Sequence, residues 1–152
     1  MLLRHARDED VPLLRDLAAR AYRPYVGRIG RRPAPMQDDY AQKVSAGSVF
    51  VADDGGVVGL IVLIDAPNHL LVENVAVAPE RQGSGIGRAL MDLAEAHARE
   101  RGLGELRLYT NAAMSENIRL YHHLGYTEVD RRGEDGFERV FFSKATPPAR
   151  AT

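Results

Sequence analysis

At 152 residues the chain has the length of one domain built around a single hydrophobic core. Its formal net charge of −1 gives no global attraction to nucleic acid or a membrane surface, and no apolar run approaches the roughly 20 residues that cross a bilayer. Cysteine is absent, which excludes a thiolate nucleophile, a disulfide framework and a cysteine-ligated metal.

The N-terminus shows neither the apolar stretch nor the small-residue cleavage site of a secretory signal, so the expected compartment is the cytoplasm. Leu2–Ala6 reads as a short first strand. Asp8-Glu9-Asp10 then places acids at a helix start, with Asp8 or Asp10 as N-cap, and Leu13, Leu14, Leu17, Ala18 and Ala21 form a helical stripe to Tyr22. Pro24, Gly27, Gly30, Pro33 and Pro35 break residues 23–36 into a loop or a short irregular turn, and a second helix is predicted from Gln37 to Ala46. Residues 1–32 carry eight arginines against four acids, a local excess of +4. This segment is either a solvated face or an attractor for an anionic substrate or the phosphates of a cofactor.

An antiparallel meander follows. Ser48–Asp53 is a strand, Asp54-Gly55-Gly56 a hairpin turn, and Val57–Ile64 an apolar strand buried on both faces. Ala66–His69 turns the chain into a fourth strand, Leu70–Val77. Beyond the glycines, Ile86, Leu90, Leu93, Ala94 and His97 mark a long helix with His97 on its core stripe, closed by Gly102 and Gly104. Leu106–Thr110 is a strand parallel to the fourth, reached by a crossover helix. Ser115 is placed to cap a short helix carrying Ile118, Tyr121 and Leu124, with Gly125 ending it. Tyr126–Arg132 and Phe137–Lys144 form a terminal hairpin. The expected organisation is a single domain over 1–144 and a disordered tail over 145–152.

The stretch LLVENVAVAPERQGSGIGRALMDLAEAHARER, Leu70–Arg101, holds the clearest chemistry. A buried strand that feeds a glycine-rich turn opening a helix is a recipe for an anion site. The first helical N–H groups lack intrahelical partners, the helix dipole adds positive charge, and glycines let the backbone come close. A P-loop is excluded because Gly87 is followed by Arg88 and Ala89. A dinucleotide fingerprint starting at Gly83 puts Arg88 where its last glycine belongs. A nucleophile elbow has Gln82 in place of its first glycine. What fits is Gln82-x-x-Gly85-x-Gly87 after Val75-Ala76-Val77, which closely resembles the Q/R-x-x-G-x-G/A signature of the GNAT-family N-acetyltransferases.

A second motif strengthens the resemblance. Asn117-Ile118-x-Leu120-Tyr121-x-x-Leu124-Gly125-Tyr126 is similar to that family's A-x-x-x-Y-x-x-x-G-F/Y helix, and the element order matches as well, so the likeness covers residues 2–144. One departure is that Asn117 stands where the family often has alanine, and Met114 where it often has asparagine. The resemblance implies an α/β (α+β) GNAT fold, a central, mixed, twisted sheet of about seven strands with about four helices. It implies acetyl-CoA as co-substrate, a primary amine of a small molecule or amino terminus as acceptor, and direct attack in a ternary complex. It also admits a homodimer. No metal, nucleic acid or membrane partner is expected.

The same resemblance assigns residues. Val75, Ala76 and Val77 would meet the pantetheine, with a backbone N–H near Val75 facing the thioester oxygen. Arg81, Gln82, Gly83, Ser84, Gly85, Ile86, Gly87 and Arg88 would hold the pyrophosphate, and Asn111 or Asn117 would contact the cofactor. Tyr121 is the candidate acid that returns a proton to the thiolate; its rival role is core packing. Glu73 is the candidate base, with His69 as an alternative. A carboxylate inside LLVENVAV is costly without a partner, which favours a site over a merely wetted strand face. Tyr22, Tyr25, Arg28 and Tyr40, with Arg31 and Arg32, are candidates to line the acceptor pocket. Two other readings compete: a non-catalytic GNAT-fold module that binds acetyl-CoA as a sensor or partner domain, and a generic nucleotide-phosphate binder.

Overall fold

A computed structural model describes residues 1–147. Seven strands form in it: β1 Leu2–His5, β2 Val49–Asp53, β3 Val57–Asp65, β4 Leu70–Val77, β5 Glu105–Asn111, β6 Thr127–Glu134 and β7 Phe137–Ala145. They make one mixed sheet in the order β1-β2-β3-β4-β5-β7-β6. The helices are α1 Val11–Tyr22, the single turn α2 Val26–Ile29, α3 Tyr40–Ser45, α4 Ile86–Glu100 and α5 Ser115–His123. This is the α/β architecture expected from the element order. Contacts gather into two compact units, Met1–Ile64 with Glu73–Leu93, and Asp65–Val72 with the chain from Ala94 onward.

In the first unit β2 runs antiparallel to both β1 and β3, pairing Leu3 with Ala52 and Val51 with Leu60. β3 is buried from Val58 to Leu63, as a strand covered on both faces must be. On α1 the buried stripe is Val11, Leu14, Leu17, Ala18, Ala21 and Tyr22, while Leu13, expected inside, faces solvent. α1 packs on α3 and on the 34–37 turn. Asp10 does not cap α1 with its side chain, because a 3-10 turn over Asp8–Asp10 intervenes. Its buried carboxylate instead accepts from the Arg7 N–H at 2.7 Å and from Arg4 at 2.8 Å. The Arg4 hydrogen bond outweighs desolvation and holds the Asp10 pKa below the usual carboxylate range.

The second helix is shorter than predicted and starts at Tyr40, since Asp39 caps it by accepting from the Gln42 N–H at 3.1 Å. Of the two alternatives for the segment after α1, the structure is nearer the turn: short helical turns form at 23–25, 26–29 and 34–37. Prolines at early turn positions permit that, because the missing N–H would have had no partner there.

In the second unit the start of β4 pairs parallel with β5, Leu70 with Leu106 through Val72 with Leu108. The parallel pairing across the α4 connection is as expected. β7 lies antiparallel between β5 and β6, and its register on β6 shifts between Glu128 and Asp130. His97 is half-buried rather than a core residue, with Nε2 3.4 Å from the Asp65 carboxylate. Ser115 is the first residue of α5 and makes no side-chain cap; Met114 is the N-cap. The turn into α5 is made one step earlier, where Asn111 Oδ1 accepts the Ala113 N–H at 2.9 Å.

The expected disordered tail begins too early. β7 includes Ala145, and fully buried Thr146 bonds to Gly104 O at 2.9 Å through its N–H and to Leu103 O at 2.8 Å through its hydroxyl. Residues 148–152 lie outside the described residues.

One glycine in β3 sets how closely α4 approaches the sheet of the first unit. A Cβ at Gly59 would lie 3.0 Å from Ile86 Cγ2 and 3.1 Å from Leu90 Cδ1, so the first turns of α4 rest on bare strand backbone. Replacing Gly59 by Val overpacks this contact and is expected to cost about 1–3 kcal/mol, read as a lower urea midpoint. A midpoint equal to wild type would mean that α4 does not depend on this contact.

Candidate functional site

β4 alternates as a strand should: Leu70, Val72, Asn74 and Ala76 are buried, while Leu71, Glu73, Val75 and Val77 are half-buried. Two polar residues interrupt it, and both are partnered. The Asn74 amide, 5% exposed, accepts from the Tyr22 hydroxyl and donates to the Tyr40 hydroxyl at 3.0 Å. The Tyr40 hydroxyl donates to Pro35 O at 2.6 Å, and the Tyr22 hydroxyl also lies 3.0 Å from Val75 O. Glu73 pairs with the ammonium of Lys43, which sits 3.2 Å from Asp38 on its other side. Burial is the largest single influence on Lys43 and lowers its pKa. The hydrogen bond and charge of Glu73, aided by Asp38, outweigh that burial and leave the group above the ordinary lysine value.

Tyr22 and Tyr40, candidates above for the acceptor pocket, are 8% and 1% exposed, and their hydroxyls are engaged by β4. Burial and the nearby acids Asp38 and Glu73 push the Tyr40 pKa up, and Asn74 opposes them only in part, so this phenol stays neutral. Tyr25 is half-buried, and Arg28 is exposed with its guanidinium over the Tyr25 ring at 5.0 Å. An open hollow of about 530 Å³ in the first unit is lined instead by Arg20, Arg23, Pro24, Pro79 and Glu80.

After β4 a 3-10 turn, Pro79–Arg81, leads into the glycine loop. Gln82 donates its side-chain N–H to Val77 O at 3.3 Å, tying the loop back to the strand end. The Ser84 N–H reaches Arg81 O at 3.3 Å, and the Ser84 hydroxyl donates to the same oxygen. Arg81 pairs with Asp54 at 2.7 Å, and Arg88 is exposed in the first turn of α4.

Gly83 and Gly85 have φ of +81° and +90°, with nothing within 4 Å of a Cβ, so backbone conformation rather than space requires glycine there. At Gly87 a Cβ would make only an ordinary contact with Val77 at 3.7 Å, so alanine would fit, in keeping with the glycine-or-alanine choice at that place in the signature. The first bond closing α4 runs from the Ala89 N–H to Gly85 O at 3.0 Å. The N–H groups of Ile86, Gly87 and Arg88 therefore have no acceptor within the helix, and Gln82–Gly85 are exposed around them. This is a cradle of backbone donors at the positive end of a fifteen-residue helix.

In the second unit Tyr121 lies on α5, 4% exposed, with ring centroids 5.9 Å from Tyr126 and 5.7 Å from Phe142. Its hydroxyl makes no hydrogen bond among the described residues, and burial raises its pKa, so it is a neutral donor at any physiological pH. Asn111 spends its side-chain oxygen on the local turn, whereas half-buried Asn117 makes no side-chain hydrogen bond among the described residues. His69 is turned to Asn68 at 2.9 Å, and burial, then the charge of Arg107, lowers its pKa. His122 and His123 are exposed, and no group of three metal-ligating side chains occurs among the described residues.

The geometry thus defines a class: a mixed α/β sheet with a cradle of backbone N–H groups at the end of its fourth strand. The model of the acetyltransferase (GNAT) family matches residues 11–126, and the chain belongs to that family. It is 35% identical over 133 residues to the mycothiol acetyltransferase of Pseudarthrobacter chlorophenolicus, covering 82% of this chain and 41% of that protein. The chain spans less than half the length of the curated relatives it matches. Among solved structures, nourseothricin acetyltransferase is 35% identical with a TM-score of 0.58 over 65% of this chain and 64% of that one. The PaiA N-acetyltransferase of Thermoplasma acidophilum, solved in complex with coenzyme A, has a TM-score of 0.78 over 92% and 96% of the two chains. At 17% identity that is a likeness of fold.

The buried Tyr121 phenol yields a spectroscopic expectation. Its pKa lies above the ordinary tyrosine value near 10, so the wild type and Tyr121→Phe should develop the same phenolate absorbance up to about pH 10 while folded. Loss of one titrating tyrosine in Tyr121→Phe below that pH would show that the phenol is solvated.

Proposed function

We propose that the chain is an acetyl-CoA-dependent N-acetyltransferase that acts on a primary amine of a small molecule or an amino terminus. The observation that carries this reading is the cradle formed by Gln82–Arg88: two glycines in the left-handed region and three N–H groups unpaired at the start of α4. These donors suit a pyrophosphate, and the resemblance in fold to a protein solved with coenzyme A supports that ligand class. Relatives named for acetyltransferase activity support the enzyme, and nothing in the comparisons favours a non-catalytic binding module.

When bound, acetyl-CoA supplies an acetyl group activated as a thioester. The amides of Ile86, Gly87 and Arg88 hold its phosphates, with the Arg88 guanidinium adding charge. Arg81, paired with Asp54 at 2.7 Å, is the other candidate for that charge. The β4 segment Val75–Val77, beyond the last β5 pairing at Val72, would take the pantetheine as an added strand, with the Val75 N–H serving the acyl oxygen. A free alkyl ammonium has a pKa of about 10 and must lose a proton before it attacks; the Glu73 carboxylate accepts it, directly or through water. The Tyr121 hydroxyl donates a proton to the departing sulfur. Asn117, whose amide has no competing bond among the described residues, is the better of the two asparagines for a cofactor contact. Cytoplasmic residence and homodimer formation belong to the same proposal.

Acetyl-CoA and CoA should raise the thermal midpoint, and ATP and NAD should not. A shift with none of the four, or with ATP and NAD alone, removes the proposal. With an acceptor found by screening amines for CoA release, Tyr121→Phe should lower kcat by about 100-fold while acetyl-CoA binding changes little. Unchanged turnover takes the acid role from Tyr121. Glu73→Gln should lose turnover at neutral pH and regain part of it as the acceptor amine deprotonates in alkali. A pH profile that follows wild type takes the base role from Glu73.

A further inference from the structure

Lys43 has no place in the motifs that identify the family, yet it touches the residue on which the chemistry turns. It stands on α3, three residues after Tyr40, so the two share one face of the helix. That face holds consecutive residues of β4: the Tyr40 hydroxyl takes Asn74, and the Lys43 ammonium takes Glu73. The lysine contact goes to one carboxylate oxygen, Oε1. Glu73 Oε2 makes no hydrogen bond among the described residues. The side chains of Lys43 and Glu73 are only 18% and 25% exposed, and Asp38 braces the ammonium from its other side at 3.2 Å.

An exposed ion pair would leave both side chains free to sample other rotamers. A half-buried pair, with its cation held by a second acid, keeps the carboxylate in one place. A carboxylate with one oxygen pinned and the other unengaged is arranged to take a proton at the second oxygen.

We propose that Lys43 is a positioning residue for the acyl-transfer reaction: its ammonium, braced by Asp38, holds Glu73 Oε1 so that Oε2 is the oxygen that accepts the acceptor's proton. This rests on Glu73 as the base. The covalent chemistry is unchanged. The proton leaves the acceptor nitrogen for Oε2, the new C–N bond forms as the C–S bond breaks, and the sulfur is protonated from elsewhere in the site.

The test compares Lys43→Met, Lys43→Arg, Glu73→Gln and the double variant Lys43→Met/Glu73→Gln in steady-state kinetics, with thermal midpoints measured alongside. Lys43→Met should lower kcat by about 10- to 100-fold, with little change in the KM for acetyl-CoA. Lys43→Arg keeps the charge and should restore most of the loss. The double variant should be no slower than Glu73→Gln alone, because a positioning residue has nothing left to position. If Lys43→Met does not fold, Lys43→Gln replaces it with the same expected loss.

Wild-type kcat in Lys43→Met, or losses that multiply in the double variant, overturns the proposal. The two possible failures are distinguishable. Wild-type turnover in Glu73→Gln removes the base and the positioning role together, whereas a deficient Glu73→Gln beside a fully active Lys43→Met removes the lysine's role alone.

Discussion

A buried amide in the middle of a strand must find partners or forfeit about 1–3 kcal/mol for each group left unbonded. Asn74 is that amide, and much of the first third of the chain is arranged around it. Tyr22, at the end of α1, supplies the donor to its oxygen; Tyr40, at the start of α3, takes its N–H and is anchored in turn to Pro35. Next along the strand, Glu73 recruits Lys43 from the same short helix. The arginine-rich, proline-broken opening segment is therefore more than a connector, since it carries the hydrogen bonds and charge that allow β4 to hold polar residues inside an apolar run. The strand that leads into the anion cradle is fixed in place by side chains some 30 to 50 residues earlier.

The cradle has a different physical origin. It is made of backbone, and its requirements are conformational: positive φ at Gly83 and Gly85, and a helix beginning where three N–H groups have no carbonyl to meet. Its position depends on how tightly α4 lies on β3. Gly59 permits that approach, because any Cβ there would press on Ile86 and Leu90. One glycine inside a strand thus helps to place a loop twenty-odd residues further on.

This division explains what could be read from the residue string. Backbone demands are written locally. The glycine loop, the bounds of β4, the hairpins and the helix carrying Tyr121 were all legible because each rests on a few adjacent residues. The cost of a lone carboxylate in LLVENVAV was legible too, and it favoured a site over a wetted strand face. That Lys43 pairs with Glu73 was not legible, because the two meet across 30 positions with no periodic pattern joining them. The bonds that Tyr22 and Tyr40 make to Asn74 were hidden for the same reason. Aromatic residues in an arginine-rich segment look like ligand contacts until burial reveals that their hydroxyls point inward. Asp10 is the N-cap residue of α1, as one of the two expected caps, but its side-chain oxygen is taken by the Arg7 N–H, while α5 starts one residue earlier than expected, at Ser115 after Met114.

The distribution of tyrosines has an optical consequence. The chain contains no tryptophan and six tyrosines, so its near-ultraviolet emission comes from phenols alone. Four of them are buried: Tyr22 and Tyr40 on the Asn74 amide in one unit, and Tyr121 and Tyr126 beside Phe142 and its neighbours in the other. Tyrosine quenching responds to hydrogen bonding and to nearby charge. Four of the six emitters behind the intrinsic fluorescence of this protein therefore stand at the two places where the proposed chemistry is held, one phenol pair in each unit.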